Sequence, residues 1–278
     1  PGVKITTFGD MTRVPGSTSS LLKEQAAGRD INIVYSPLDA LKIAQENPES
    51  EVVFVGVGFE TTTPLVAMAI KRAQALGLKN FSVFVAHKNM PNALEAIVSD
   101  PSLKIDALIL PGHVSTIIGM KPYEFLAQKY GVPGVITGFE PVDVLQGIAM
   151  IMRQLHEGRA EIEIAYKRGV EAQGNPIALA AIDEVFETVD TTWRGLGLIP
   201  QSGYAIREKY KDFDAFKRFQ PEVELTQEPK GCRCGDVLRG AMAPNECPLF
   251  RRVCTPENPV GPCMVSSEGS CAAYFRYL

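Results

Sequence analysis

At 278 residues the chain exceeds the usual size of one compact domain, so two or three units around separate cores are expected. Its net charge is −4, from 28 Lys plus Arg against 32 Asp plus Glu, and no basic stripe interleaved with aromatics occurs, which excludes nucleic acid as an expected partner. Apolar runs such as 51–59 and 107–111 fall far short of the roughly 20 residues a membrane span requires, and the opening Pro-Gly-Val-Lys lacks the features of a secretory signal, so a cytoplasmic, membrane-free protein is expected.

In chain order, a strand is expected at 4–8. From residue 30 onward short β-rich runs alternate with helical patterns, as in a mainly parallel sheet covered by helices. Strands are expected at 31–35, 52–57, 81–86, 107–110 and 134–137, with helices at 38–45, 62–76, 91–98 and 122–130 between them. The clearest helix is 62–76, where Pro64 suits a first turn, Leu65, Met68, Ala69, Ala73 and Leu76 recur at helical spacing, and Gly77 ends the run. Gly58-Phe59-Glu60 returns 80 residues later as Gly138-Phe139-Glu140, followed by the pairs Leu65 and Leu145, Ala69 and Ala149, and Gln74 and Gln154. This offset predicts two related α/β units, 1–105 and 106–200. Around 195–204 the alternation fades, and 213–229 is charged and Pro-bounded, which reads as a boundary. The remaining region, 201–278, ends in a stretch rich in Gly, Pro and Cys with too few apolar residues for a core of its own, so it needs a metal, the main body, or both.

All six cysteines lie in that last stretch, at 232, 234, 247, 254, 263 and 271. Four could close a tetrahedral metal site, with two left over. Fourteen residues separate Cys232 from Cys247, six separate Cys247 from Cys254, and sixteen separate Cys254 from Cys271. Structural zinc sites favour tight ligand pairs with two to four residues between them, whereas wide spacing is compatible with an iron-sulfur cube held by separate loops; zinc, disulfides and unrelated thiols stay open on spacing alone. Residues 230–278 carry Lys230, Arg233, Arg239, Arg251, Arg252 and Arg276 against Asp236, Glu246, Glu257 and Glu268, the sign an anionic cluster requires, though solvated surface charges would look the same.

Other candidates fall at expected strand ends, where open α/β sheets bind ligands. In Phe8-Gly-Asp-Met-Thr-Arg-Val-Pro-Gly16, Asp10 could orient or protonate a ligand and Arg13 could donate to an anion, unless the two simply close the loop. Gly56-Val57-Gly58 starts like a dinucleotide fingerprint but has Thr61 where the third glycine belongs, and no phosphate-binding loop pattern occurs. Glu60 and Thr61 either cap a helix or face a ligand. His87 and His113 follow strands directly and, with Asp10, Glu60 and Glu140, make a polar cleft in which His113 is the preferred proton handler, while His156 reads as surface. Trp193 and the Tyr274, Phe275, Tyr277 group read as core or docking surface.

The stretches Gly231-Cys-Arg-Cys-Gly-Asp-Val-Leu-Arg-Gly240, Glu246-Cys-Pro-Leu-Phe250 and Gly261-Pro-Cys-Met-Val-Ser-Ser-Glu-Gly-Ser-Cys271 strongly resemble the HypD family of hydrogenase maturation factors. So do Ile5-Thr-Thr-Phe-Gly-Asp-Met-Thr-Arg-Val-Pro-Gly-Ser17, Gly58-Phe-Glu-Thr-Thr-Thr-Pro64, Pro111-Gly-His-Val-Ser115 and Gly138-Phe-Glu-Pro141, in the same order. The resemblance implies a [4Fe-4S] cluster on Cys232, Cys247, Cys254 and Cys271 and a thiol/disulfide couple of Cys234 and Cys263 beside it, with Glu268 joining the candidate catalytic set. It further implies a scaffold, working with HypC and receiving cyanide from HypE, on which the Fe(CN)2CO unit of [NiFe] hydrogenase is assembled. Members of the family carry two more cysteine motifs upstream of the position matching Ile5, and residues 1–10 hold neither, so an N-terminally truncated member is expected. An iron-sulfur disulfide reductase acting on a partner protein is the rival reading, and a zinc-stapled binding module is a third.

Overall fold

The computed structural model describes residues 2–101, 103, 105–223 and 229–278. The chain runs β1 (Val3–Thr7), α1 (Leu21–Ala26), β2 (Ile31–Ile33), α2 (Pro37–Glu46), β3 (Glu51–Gly58), α3 (Thr63–Ala75), β4 (Phe81–His87) and α4 (Met90–Val98). A second series follows: β5 (Leu108–Pro111), α5 (Gly112–Ile118), α6 (Glu124–Tyr130), β6 (Gly134–Thr137), α7 (Pro141–Glu157) and β7 (Ile162–Ile164). It closes with α8 (Pro176–Val185), β8 (Phe186–Trp193), β9 (Gly197–Ile206), α9 (Ala215–Phe219), α10 (Cys234–Leu238) and α11 (Ser270–Tyr277). The architecture is α/β with mainly parallel sheets, as expected from the alternating pattern.

The first sheet has the order β2-β1-β3-β4, all parallel. Its central strand β3 is a nearly continuous apolar run, as expected of a strand inside a parallel sheet. Phe54, Phe81 and Val83 pack there with Leu41 of α2 and Val66, Ala67 and Ile70 of α3. Helix starts are chemically marked: Ser36 Oγ accepts from Leu38 N at 3.2 Å, Asp39 accepts from Ser36 N at 3.0 Å, and Pro37 opens α2. The second sheet, β5-β6-β7, is also parallel, with a core of Leu110, Val114, Tyr123, Leu126, Ile136 and Val170.

After the second sheet the chain returns to the first. Ala181, Ile182 and Val185 of α8, Phe186 of β8, Ile206 of β9, and Tyr210 and Phe213 all join the core of the first unit. The stretch around 195–204, where the sequence pattern fades, is one arm of an antiparallel β8–β9 hairpin with a register shift between Val189 and Thr191. Residues 214–216 also pack on the first sheet, through a Val83–Asp214 bridge and Phe216 lying 6.3 Å from Phe84. Part of the expected boundary at 213–229 is therefore folded, while 224–228 lie outside the described residues. Among the described residues no helix is long and apolar enough to cross a membrane.

Candidate functional site

The cysteine-rich stretch has little regular structure, and its small core is built mainly of sulfur and short side chains: Cys234, Val237, Cys254, Cys263, Met264, Cys271 and Ala272. Gly231 at φ +82° turns the chain into Cys232, and Cys234 opens α10. Cys254 closes a turn in which its N–H and those of Arg252 and Val253 converge on the Leu249 carbonyl. Cys271 lies in the first turn of α11.

These loops bring all six cysteines to the wall of one small cavity, which Arg233, Val237, Leu249, Phe250, Gly261 and Met264 complete. Cys234 and Cys263 are joined as a disulfide with Cα atoms 6.5 Å apart, and Cys232, Cys247, Cys254 and Cys271 are free. Among the described residues, no three His, Cys, Asp or Glu side chains are grouped as a single ion would require. The four free thiols surround a space instead.

Electrostatics tie the four together. Burial raises the Cys232 thiol above its ordinary range, with nearby Cys247 and Cys254 adding to the effect, while the Cys234 backbone N–H and the Arg194 charge oppose it. Cys271 is pushed up to about 11, by burial first and then by Cys254, Cys247 and Cys232. Four thiolates packed here need a cationic core between them. Val260 N donates to Cys254 Sγ at 3.3 Å, the kind of N–H to sulfur contact that spreads thiolate charge. A Cβ on Gly261 would lie 2.8 Å from Cys232 Sγ and 3.3 Å from Cys234 Cβ, so the backbone lies against the sulfurs only because that residue has no side chain. An all-sulfur donor set around a cradle of this kind fits an iron-sulfur cube.

The expected compensating cations are mostly spoken for. Arg233 pairs with Asp236 at 2.8 Å, and Arg239 pairs with Asp236 at 2.7 Å and Asp100 at 3.6 Å. Arg251 lies over the Phe250 and Phe275 rings and donates to the Phe275 carbonyl. Glu268 is exposed, and its N–H donates to Ser266 Oγ.

The strand-end candidates differ sharply in depth. Asp10 and Arg13 occupy an exposed single turn after β1, where Asp10 accepts from Met11 N at 3.0 Å. Glu60, after β3, is 1% exposed and accepts from Met90 N at the start of α4, at 3.0 and 3.3 Å from its two oxygens. Burial pushes its carboxyl up to about 7, against the two backbone donors. Glu140, the matching residue after β6, is exposed and 3.3 Å from Arg168, which also grips the buried Asp143 with two hydrogen bonds.

The histidines diverge in the same way. His87 ends β4 at 1% exposure with both ring nitrogens unpartnered, and burial drops it to about 4. Its ring fills the space beside Gly56, where a Cβ would meet it at 2.9 Å. His113 is exposed and its ring lies tilted against Phe139, with centroids 4.7 Å apart. Asp10, Arg13, His113 and Glu140 are thus solvent-facing, while Glu60 and His87 are buried.

Two basic residues near these groups carry no sequence signal of their own. Lys88 Nζ reaches Thr191 Oγ1 at 2.5 Å and the Thr192 carbonyl at 3.1 Å, tying the end of β4 to the hairpin. Arg194 sits at the hairpin tip; the nearest cue is the pair of glycines in Trp193-Arg-Gly-Leu-Gly197, which marks a tight turn.

The HypD family model, described as the hydrogenase formation hypA family, matches residues 1–278. The chain is 51% identical over 284 residues to the hydrogenase expression/formation protein HupD of Azotobacter chroococcum mcd 1, covering 100% of this chain and 75% of the relative. It is 50% identical over 282 residues to the hydrogenase maturation factor HypD of Rhodobacter capsulatus, with the same coverage. Against HypD of Escherichia coli (strain K12), identity is 45% over 278 residues, spanning 100% of this chain and 74% of that protein.

Proposed function

The chain belongs to the HypD family of hydrogenase maturation factors, and from that premise we propose that it is a redox-active scaffold for assembling the Fe(CN)2CO unit of [NiFe] hydrogenase, working with HypC- and HypE-type proteins. In this reading Cys232, Cys247, Cys254 and Cys271 hold a [4Fe-4S] cluster, a group that supplies one-electron chemistry when bound. Cys234 and Cys263 form the thiol/disulfide couple that stores an electron pair next to it. The observation that carries the reading is the convergence of all six cysteines on one cavity, with two bonded and four free.

The strand-end groups divide the remaining work. Arg13 and Asp10, exposed on a turn, recognise an anionic or polar cargo. His113 handles protons at the surface, and Glu60, poised near neutral pH in a dry setting, holds one in the interior. His87, kept neutral by burial, is a shape-filling neighbour in this scheme.

Anaerobic purification and reconstitution, followed by iron and sulfide analysis and a visible spectrum, tests the centre. A brown protein with about four iron per chain is expected. Cys247→Ala and Cys254→Ala should lose the chromophore, while Cys234→Ala should keep it and lose only the thiol chemistry. Colourless protein holding one zinc, or equal iron loss in all three variants, overturns the assignment.

A further inference from the structure

We propose that Arg194 is a positioning residue that couples the redox state of Cys234 and Cys263 to the loop bearing Asp10 and Arg13. The inference rests on the reading of that cysteine pair as a redox couple, and it assigns the β8–β9 hairpin a task of its own.

The hairpin tip touches the cysteine centre backbone to backbone. A Cβ on Gly235, the residue after Cys234, would lie 2.2 Å from the Gly195 carbonyl oxygen, and one on Gly195 would lie 3.0 Å from Gly235 Cα. No side chain separates the first turn of α10 from the tip, so a shift of Cys234 reaches residue 195 directly. Gly195 sits at φ +86°, the left-handed region that a tight turn uses.

Arg194 then spans two segments distant in sequence. Its Nη2 donates to the Val260 carbonyl at 3.3 Å, and its Nη1 to the Pro15 carbonyl at 3.5 Å. Val260 is itself bonded through its N–H to Cys254 Sγ, and Gly261 beside it abuts Cys232 and Cys234. Pro15 belongs to the loop that Thr12 Oγ1 to Gly9 O at 2.6 Å and Gly16 N to Ser19 O at 2.8 Å fold into one piece. One guanidinium therefore links the wall of the cysteine cavity to the turn that presents Asp10 and Arg13, and its planar fork can serve two carbonyls where an ammonium head serves them poorly. Both contacts are long and the side chain is exposed, which suits a link that makes and releases.

Opening the pair takes two electrons and two protons from a dithiol reductant: the Cys234–Cys263 bond breaks, two thiols form, and the reductant closes its own disulfide. Freed from Cys263, the start of α10 shifts against Gly195, Arg194 loses its grip on Pro15, and the loop loosens.

Hydrogen exchange read by mass spectrometry on the full chain, before and after dithiol reduction, tests this. In the wild type, reduction should raise exchange several-fold in 9–16 as well as in 231–240. In Arg194→Gln the 9–16 amides should exchange fast in both states while 231–240 still responds, and Arg194→Lys should fall between. Wild-type protein in which reduction changes 231–240 alone, or an Arg194→Gln protein that keeps the full response at 9–16, overturns the coupling. Non-reducing peptide mapping separates this from failure of the underlying reading: no linked Cys234–Cys263 peptide before reduction removes the redox pair and the coupling together.

Discussion

Glu60→Gln should stabilise the protein at alkaline pH and not at acid pH. The carboxyl is 1% exposed, and burial raises it from an ordinary 4.5 to about 7, so the folded state holds a proton that the unfolded chain has already released. A raised carboxyl contributes stability that is fully present below pH 4.5 and lost as pH climbs through about 7. At about 1.4 kcal/mol per pH unit the loss amounts to about 3 kcal/mol. Gln keeps a carbonyl oxygen for Met90 N and never ionises. The difference in unfolding free energy between variant and wild type, measured by urea titration, should therefore move by about 3 kcal/mol in favour of the variant between pH 4 and pH 8. The comparison must be between proteins, because His87 pulls the other way: its folded value near 4 against an ordinary 6.5 gives stability present above 6.5 and lost as pH falls toward 4. Wild-type stability alone would show two opposed slopes nearly cancelling. A difference that stays constant from pH 4 to 8 refutes the argument.

His87→Phe isolates the second slope: it fills the space beside Gly56 without ring nitrogens, and at pH 4.5 it should recover about 2 kcal/mol relative to its effect at pH 8, a gain that urea titration at the two pH values would show or fail to show. Gly261→Ala should lower iron retention on gel filtration, since the added methyl would lie 2.8 Å from Cys232 Sγ and force the loop off the sulfurs. Gly28→Ala is the control: its φ of +85° makes it costly by about 1 kcal/mol, but nothing lies within 4 Å, so iron content should not change.

The parts of the fold legible in the sequence are those where one physical signal dominates. Strand β3 is a nearly continuous apolar run, and α3 announces itself by periodicity and Pro64. The β8–β9 hairpin escaped because Glu187, Thr188, Asp190 and Thr192 are exposed among partly buried neighbours, so its pattern is neither buried-strand nor helix. Short elements such as the three-residue β7 are too brief for periodicity to register. At the site, clustering of the cysteines was enough to group them. Depth was not readable: Glu60 and Glu140 occupy matching turns, and His87 and His113 both follow strands, yet in each pair one is buried and one exposed. That contrast is decided by neighbours distant in the chain, such as Met90 over Glu60 and the bare Gly56 beside His87.

The return of α8 and the hairpin to the first core means that the second sheet is spliced into the first unit, not appended to it. The polypeptide enters that inserted body after α4 and leaves it before α8, so both ends are tethered to one foundation. Such a body cannot swing out on a single leash. The helices that carry the two crossings also fasten it, since Met90, Leu94 and Val98 of α4 and Leu179 of α8 pack against its core.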